Sequence, residues 1–126
     1  MVQLENILSV AGILITGGFN RDDRTSVEIF SLQSNTSCTL KSLPSPAGNH
    51  VQHNNMICKD NKCFTRDERT GDWSQSHQLK YVRDNTCVWE VEDGVILMGG
   101  YGSDTTSVMV RYDGTVEQTF DLQYSR

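Results

Sequence analysis

An all-β fold built from repeated strand units is what this sequence predicts, and three observations carry the expectation. First, Val10-Ala11-Gly12-Ile13-Leu14-Ile15-Thr16-Gly17-Gly18-Phe19 has a near-copy in Val91-Glu92-Asp93-Gly94-Val95-Ile96-Leu97-Met98-Gly99-Gly100-Tyr101. Each copy reads as a turn, a short apolar run, two glycines and an aromatic. Second, Gly100 follows Gly18 by 82 residues, and at half that spacing another apolar strand start stands in Met56-Ile57-Cys58-Lys59-Asp60. Third, the intervening sequence has strand signals and no helical pattern. A brief apolar run bounded by glycine is too short for a core helix and fits a strand covered on both faces. The glycine pair that follows lets the backbone take positive φ or approach another segment closely.

Repeats of about 40–50 residues made of strands read as propeller blades. The Trp-Asp and Gly-His signatures of one such class are not correctly placed, and the double glycine points to the other. The chain resembles the kelch-repeat family, whose repeats each form a four-stranded blade. The first repeat carries Gly17-Gly18, then Phe30 in Ser26-Val27-Glu28-Ile29-Phe30, then Leu43-Pro44-Ser45-Pro46, similar to the family's link between blades. It lacks the family's tryptophan; Cys38 or Leu40 stands near that place. The second has Phe64 and Trp73 but Cys58 and Lys59 in place of the glycines. The third has Gly99-Gly100, while Arg111-Tyr112-Asp113-Gly114 again lacks the tryptophan. The resemblance implies a partial kelch β-propeller over residues 1–126, of about three four-stranded antiparallel blades at 10–43, 47–79 and 81–123.

In chain order, residues 1–9 hold an incoming strand end or a disordered start, and 10–43 hold strands b, c and d of the first repeat. Phe19 to Thr25 is a polar b–c loop. Val27, Ile29 and Leu32 alternate imperfectly with polar residues, as in a half-buried strand. Leu43 and the two prolines mark a crossing. Ala47 to Asn55 is the inner strand of the second repeat. Next, Cys58-Lys59-Asp60-Asn61-Lys62-Cys63 reads as a tight hairpin, since Asp60 and Asn61 both tolerate positive φ in a two-residue loop. Trp73 follows the Thr70-Gly71-Asp72 turn in the outer half of the blade. Tyr101 to Ser107 is the b–c loop of the third repeat, and residues 119–126 still alternate like a strand. About three blades do not close a ring of about four to eight, so a fragment of a larger propeller is expected, with closure by self-association as the alternative.

Composition bounds the function. The 126 residues suffice for one small domain, and 37% hydrophobic with 21% charged residues is ordinary for a globular protein. A net charge of −5 with no Lys/Arg cluster argues against general nucleic-acid binding. No run reaches the about 20 apolar residues that span a membrane. Ile7 to Ile15 could pass for the apolar part of a signal peptide, but Glu5 precedes it and no Lys or Arg occurs before Arg21; an inner strand of the first blade fits better.

Four cysteines, Cys38, Cys58, Cys63 and Cys87, allow three pairings. The hairpin register favours Cys58–Cys63, because non-hydrogen-bonded partners bring Cα atoms to about 4.5 Å, within reach of a disulfide. Cys38 and Cys87 lie on non-adjacent repeats and are expected as buried thiols. Asn35-Thr36-Ser37 is a glycosylation sequon in a turn. Disulfide and sequon together lean towards a secreted protein, with a cytoplasmic one as the alternative. His50, His53, Cys58 and Cys63 have zinc-compatible side chains without a zinc spacing, so no metal and no cofactor is expected. No cysteine is placed beside a histidine with an orienting third group, as nucleophilic catalysis needs. Glu90 and Glu92 would share a strand face as solvated carboxylates.

The resemblance implies that binding sits where b–c loops and d–a links emerge, at Asn20 to Arg24, Ser45 to Asn49, Lys80 to Arg83 and Tyr101 to Asp104. The candidate residues are Asn20, Arg21, Asp22, Arg24, Arg83, Tyr101 and Asp104. Arg24, Arg83 and Tyr101 lead, because Arg and Tyr are enriched at interface hot spots. The expectation is a non-catalytic module that binds a protein partner, not nucleic acid or membrane. The alternative is a fragment of a carbohydrate-binding or galactose-oxidase-like propeller.

Overall fold

The computed structural model describes residues 12–20, 22–80, 86–99 and 106–121, and the side chains of all of these except residues 19, 20, 22, 23, 106, 118, 120 and 121. The expected incoming strand at 1–9 and the strand continuation past 121 lie outside the described residues. Among those described, all regular structure is β. The strands are β1 (Gly12–Thr16), β2 (Phe19–Asn20), β3 (Asp22–Asp23), β4 (Val27–Ser31), β5 (Thr36–Leu40), β6 (Val51–His53) and β7 (Met56–Lys59). They continue as β8 (Lys62–Arg66), β9 (Trp73–Gln78), β10 (Cys87–Val91), β11 (Gly94–Met98), β12 (Thr106–Arg111) and β13 (Val116–Asp121). Three antiparallel sheets follow the chain, β1-β4-β5, β6-β7-β8-β9 and β10-β11-β12-β13, with β2 and β3 as a separate ribbon. Neighbours in sequence pair in space because two-residue loops join β6 to β7, β7 to β8 and β10 to β11.

The chain divides into two compact units, Met1–Gly48 with Arg66–Ser74, and Asn49–Thr65 with Gln75–Arg126. In the second unit, alternation along β11 and β12 puts Val95, Leu97, Val108 and Val110 on one face. They are buried against Met56, Cys58, Cys63 and Leu79, with Val51, Val88 and Val116 at the margin. Burying each such aliphatic side chain contributes about 1.5–3 kcal/mol. A polar chain crosses the same unit. The Thr65 hydroxyl donates to Ser76 Oγ at 2.8 Å, Ser76 Oγ meets His77 Nδ1 at 2.7 Å, and the buried His77 ring bonds the Arg111 carbonyl through Nε2. Each buried polar atom in that chain has its partner, as burial demands.

Cys58 and Cys63 are directly opposite on β7 and β8 and form a disulfide, with Cα atoms 4.0 Å apart. Positive φ occurs at Asp60 (55°) but not at Asn61, so one loop residue and not both takes the left-handed region. The hairpin also alters the repeat spacing. Met56 and Gly94 are each the first residue after a two-residue loop, which puts the second and third repeats 38 apart rather than at the half-period of 41.

Other expectations need correction. Cys38 and Cys87 are free and exposed, because β5 and β10 are edge strands of their sheets. Leu32 sits in the turn at 32–35 and is 57% exposed, not in the strand with Val27. Glu92 lies in the loop before β11, so it shares no strand with Glu90. The inner strand of the second repeat is shorter than expected, 51–53 rather than 47–55, because Ala47 pairs with Arg24 instead. Strand β12 begins at Thr106, inside the range expected as loop.

Candidate functional site

The first unit positions the loop that the sequence marks for binding. After β1, Gly17 and Gly18 take φ of 59° and 106°. A Cβ on Gly18 would meet nothing within 4 Å, so conformation and not crowding requires glycine there. The chain then folds into the β2–β3 ribbon, with Phe19 opposite Asp23 and Asn20 opposite Asp22. Main-chain bonds close its base: Arg24 N–H donates to the Gly18 carbonyl at 2.8 Å, and Gly17 N–H to Ser26 at 2.8 Å.

The same base holds the link that follows the sheet. Ala47 N–H donates to the Arg24 carbonyl at 2.9 Å, and Gly18 N–H to the Ala47 carbonyl at 2.8 Å. Leu43 N–H donates to Thr25 at 2.8 Å. Leu43 and Ala47 are buried, whereas Arg24, Pro44, Pro46 and Asn49 are exposed. Two segments about twenty residues apart thus form one rigid edge, held through backbone atoms. The Arg24 side chain stands exposed on a main chain bonded on both sides, the arrangement by which a scaffold presents a binding residue.

Of the candidate residues, Arg24 lies on this edge and Asn20 and Asp22 lie in the ribbon beside it. Arg21, Arg83, Tyr101 and Asp104 lie outside the described residues. The disulfide engages both sulfurs of the set His50, His53, Cys58 and Cys63, leaving neither as a thiolate donor. His53 instead lies 3.8 Å from Glu90.

Further interactions were not singled out by sequence. Lys41 Nζ lies 2.7 Å from Asp72 Oδ1, and Trp73 Nε1 donates to the Lys41 carbonyl at 3.2 Å. The Lys41 ammonium holds the Asp72 carboxyl below its ordinary value, with the Thr70 hydroxyl as a lesser cause. Amide N–H groups of Thr70 and Arg69 lower Asp67 in the same turn. On the third sheet, Arg111 lies 2.8 Å from Glu117 and 3.4 Å from Asp93, and Glu117 is the larger cause of its raised pKa. Asp113 is lowered by the backbone and then the hydroxyl of Thr115. Partial burial, with Glu90 as a second cause, raises Tyr112. The Lys41–Asp72, Arg111–Asp93 and Tyr112–Glu90 pairs leave a weak sequence signal, since the partners come from different strands or turns, whereas Asp67 and Asp113 are held by residues within their own turns.

No protein-family model matches this chain, and no curated protein matches it.

Proposed function

We propose that this chain is a stretch of kelch-type β-propeller acting as a non-catalytic protein-interaction module, and that it works outside the cell. The observation that carries the reading is the joining of the Gly18–Arg24 loop to the 43–48 link through Ala47, which makes one presenting edge of a b–c loop and a d–a link. Two further features support it. The sheets are successive antiparallel sheets of three or four strands, and in the second unit the last sheet lays an aliphatic face on the one before it. That is how blades of a propeller stack. The Cys58–Cys63 disulfide is more typical of extracellular proteins. The sequon Asn35 is exposed in the β4–β5 turn with φ of 57°, accessible to modification along the secretory route.

Affinity capture from extracellular fluid tests this function, with wild type, Arg24→Ala and Tyr101→Ala as baits. Arg24→Ala retains the backbone bonds of the edge, so its far-UV circular dichroism should match wild type. The proposed role requires that both variants lose captured proteins. Identical captured sets for all three baits would count against it. Binding to immobilised glycans, with no protein captured, would favour the carbohydrate-binding alternative.

A further inference from the structure

Each unit carries a sheet face with exposed apolar side chains. On β1, Ile13 and Ile15 project from one face and are 49% and 48% exposed. Phe30 on β4 is opposite Ile13 on that face. On the third sheet Trp89 is 65% exposed. It stands in a cross-strand row with Ile96 and Met109.

The internal repeat shows what such faces meet. Strand β11 is the sequence copy of β1, so Ile13 corresponds to Val95 and Ile15 to Leu97. Phe30, opposite Ile13, corresponds to Val110, opposite Val95. Val95, Leu97 and Val110 are 0% exposed, packed in a cluster with Met56, Cys58 and Cys63, with Val51 at its margin. The receiving side also has a copy. Val51, Cys58 and Cys63 form one cross-strand row of the second sheet. Counted from the loop before β7 and the loop before β11, Trp89, Ile96 and Met109 occupy the same row of the third sheet. The chain therefore carries a second, partly exposed copy of each half of an interface that it already forms internally, with Glu28, opposite Ile15, at the place of Val108.

We infer that a second copy of this chain covers these faces head to tail, with Ile13, Ile15 and Phe30 of one copy packed on Trp89, Ile96 and Met109 of the next. The contact is heterologous, between two different surfaces, so each copy offers one donor face and one acceptor face. The inference rests on strand register and burial, independently of the proposed function; its failure would leave the loop-capture test untouched.

Sedimentation equilibrium of the 126-residue chain tests it. Wild type should sediment above its 14.2 kDa monomer mass at micromolar concentration. Ile13→Glu with Ile15→Glu, and separately Trp89→Glu with Met109→Glu, should each weaken association by about a hundredfold or more. An equimolar mixture of the two variants retains one intact donor and one intact acceptor, and should form a one-to-one dimer. A monomeric wild type would overturn the inference. So would a mixture that stays monomeric, or a variant whose own association is not weakened, which means like faces pair. Should glutamate unfold the first sheet, as far-UV circular dichroism would report, Ile13→Thr with Ile15→Thr keeps a strand-forming residue at both positions and serves in its place.

Discussion

Replacing both Cys58 and Cys63 by alanine should cost the second unit about 2 kcal/mol of stability. The bond closes a loop of sequence separation 5. In the chain-entropy account, a loop of that size restricts the unfolded chain by about 7 cal/mol/K, or about 2 kcal/mol at room temperature. Both residues are buried, at 1% and 0% exposure, so lost sulfur packing adds to the entropic term. The two-residue loop at Asp60 and Asn61 persists, so the hairpin should still form in the folded state. Urea unfolding is the assay. With a slope of about 1–3 kcal/mol/M for a small protein, the midpoint should fall by about 1 M with the slope retained. Hydrogen exchange at β7 and β8 should accelerate in parallel. A double variant with an unchanged midpoint and unchanged exchange would refute the reasoning, because the bond would then constrain nothing that the hairpin does not already fix.

Four more outcomes follow from particular residues. Gly94→Ala would place a Cβ inside the Val110 carbonyl oxygen and 2.8 Å from Arg111 Cα, so strand β12 must shift; thermal denaturation should show a loss of at least about 1–3 kcal/mol. Gly18→Ala meets open space but a φ of 106°, and should lose about 1–3 kcal/mol through backbone strain alone. Asp67, Asp72 and Asp113 all have lowered pKa values. Their contribution is present above the ordinary carboxylate value near 3.8 and is lost as pH falls through the lower folded values; the triple Asn variant should show a flatter loss of stability below about pH 4. Expressed through a eukaryotic secretory route, the chain should lose mass on treatment with an N-glycosidase, and Asn35→Gln should abolish that loss.

Legibility in the sequence tracked how local the cause is. Strands β1 and β11 were readable because apolar runs ending in glycine pairs repeat almost residue for residue. The disulfide was readable because a two-residue loop sets the register that brings Cys58 opposite Cys63. The β2–β3 ribbon was not. Its strands are two polar residues each, and its base is completed by Ala47, more than twenty residues away. The exposure of Cys38 and Cys87 was missed for a related reason, since a cysteine is ordinarily buried and only the strand order makes β5 and β10 edges. The 41-residue half-period failed because the short hairpin at Asp60 brings the third repeat three residues closer. At the candidate edge, Arg24 could be named from sequence, but the main-chain bonds to Gly18 and Ala47 that hold it could not.

A photo-crosslinking residue placed at position 24, with position 74 on the edge strand β9 as a control, tests the presenting edge most directly. Irradiation in extracellular fluid should give discrete protein adducts from position 24 and none from position 74. Adducts from position 74 alone, or none from either, would contradict the claim that the loop-and-link edge of the first unit is where this protein meets its partner.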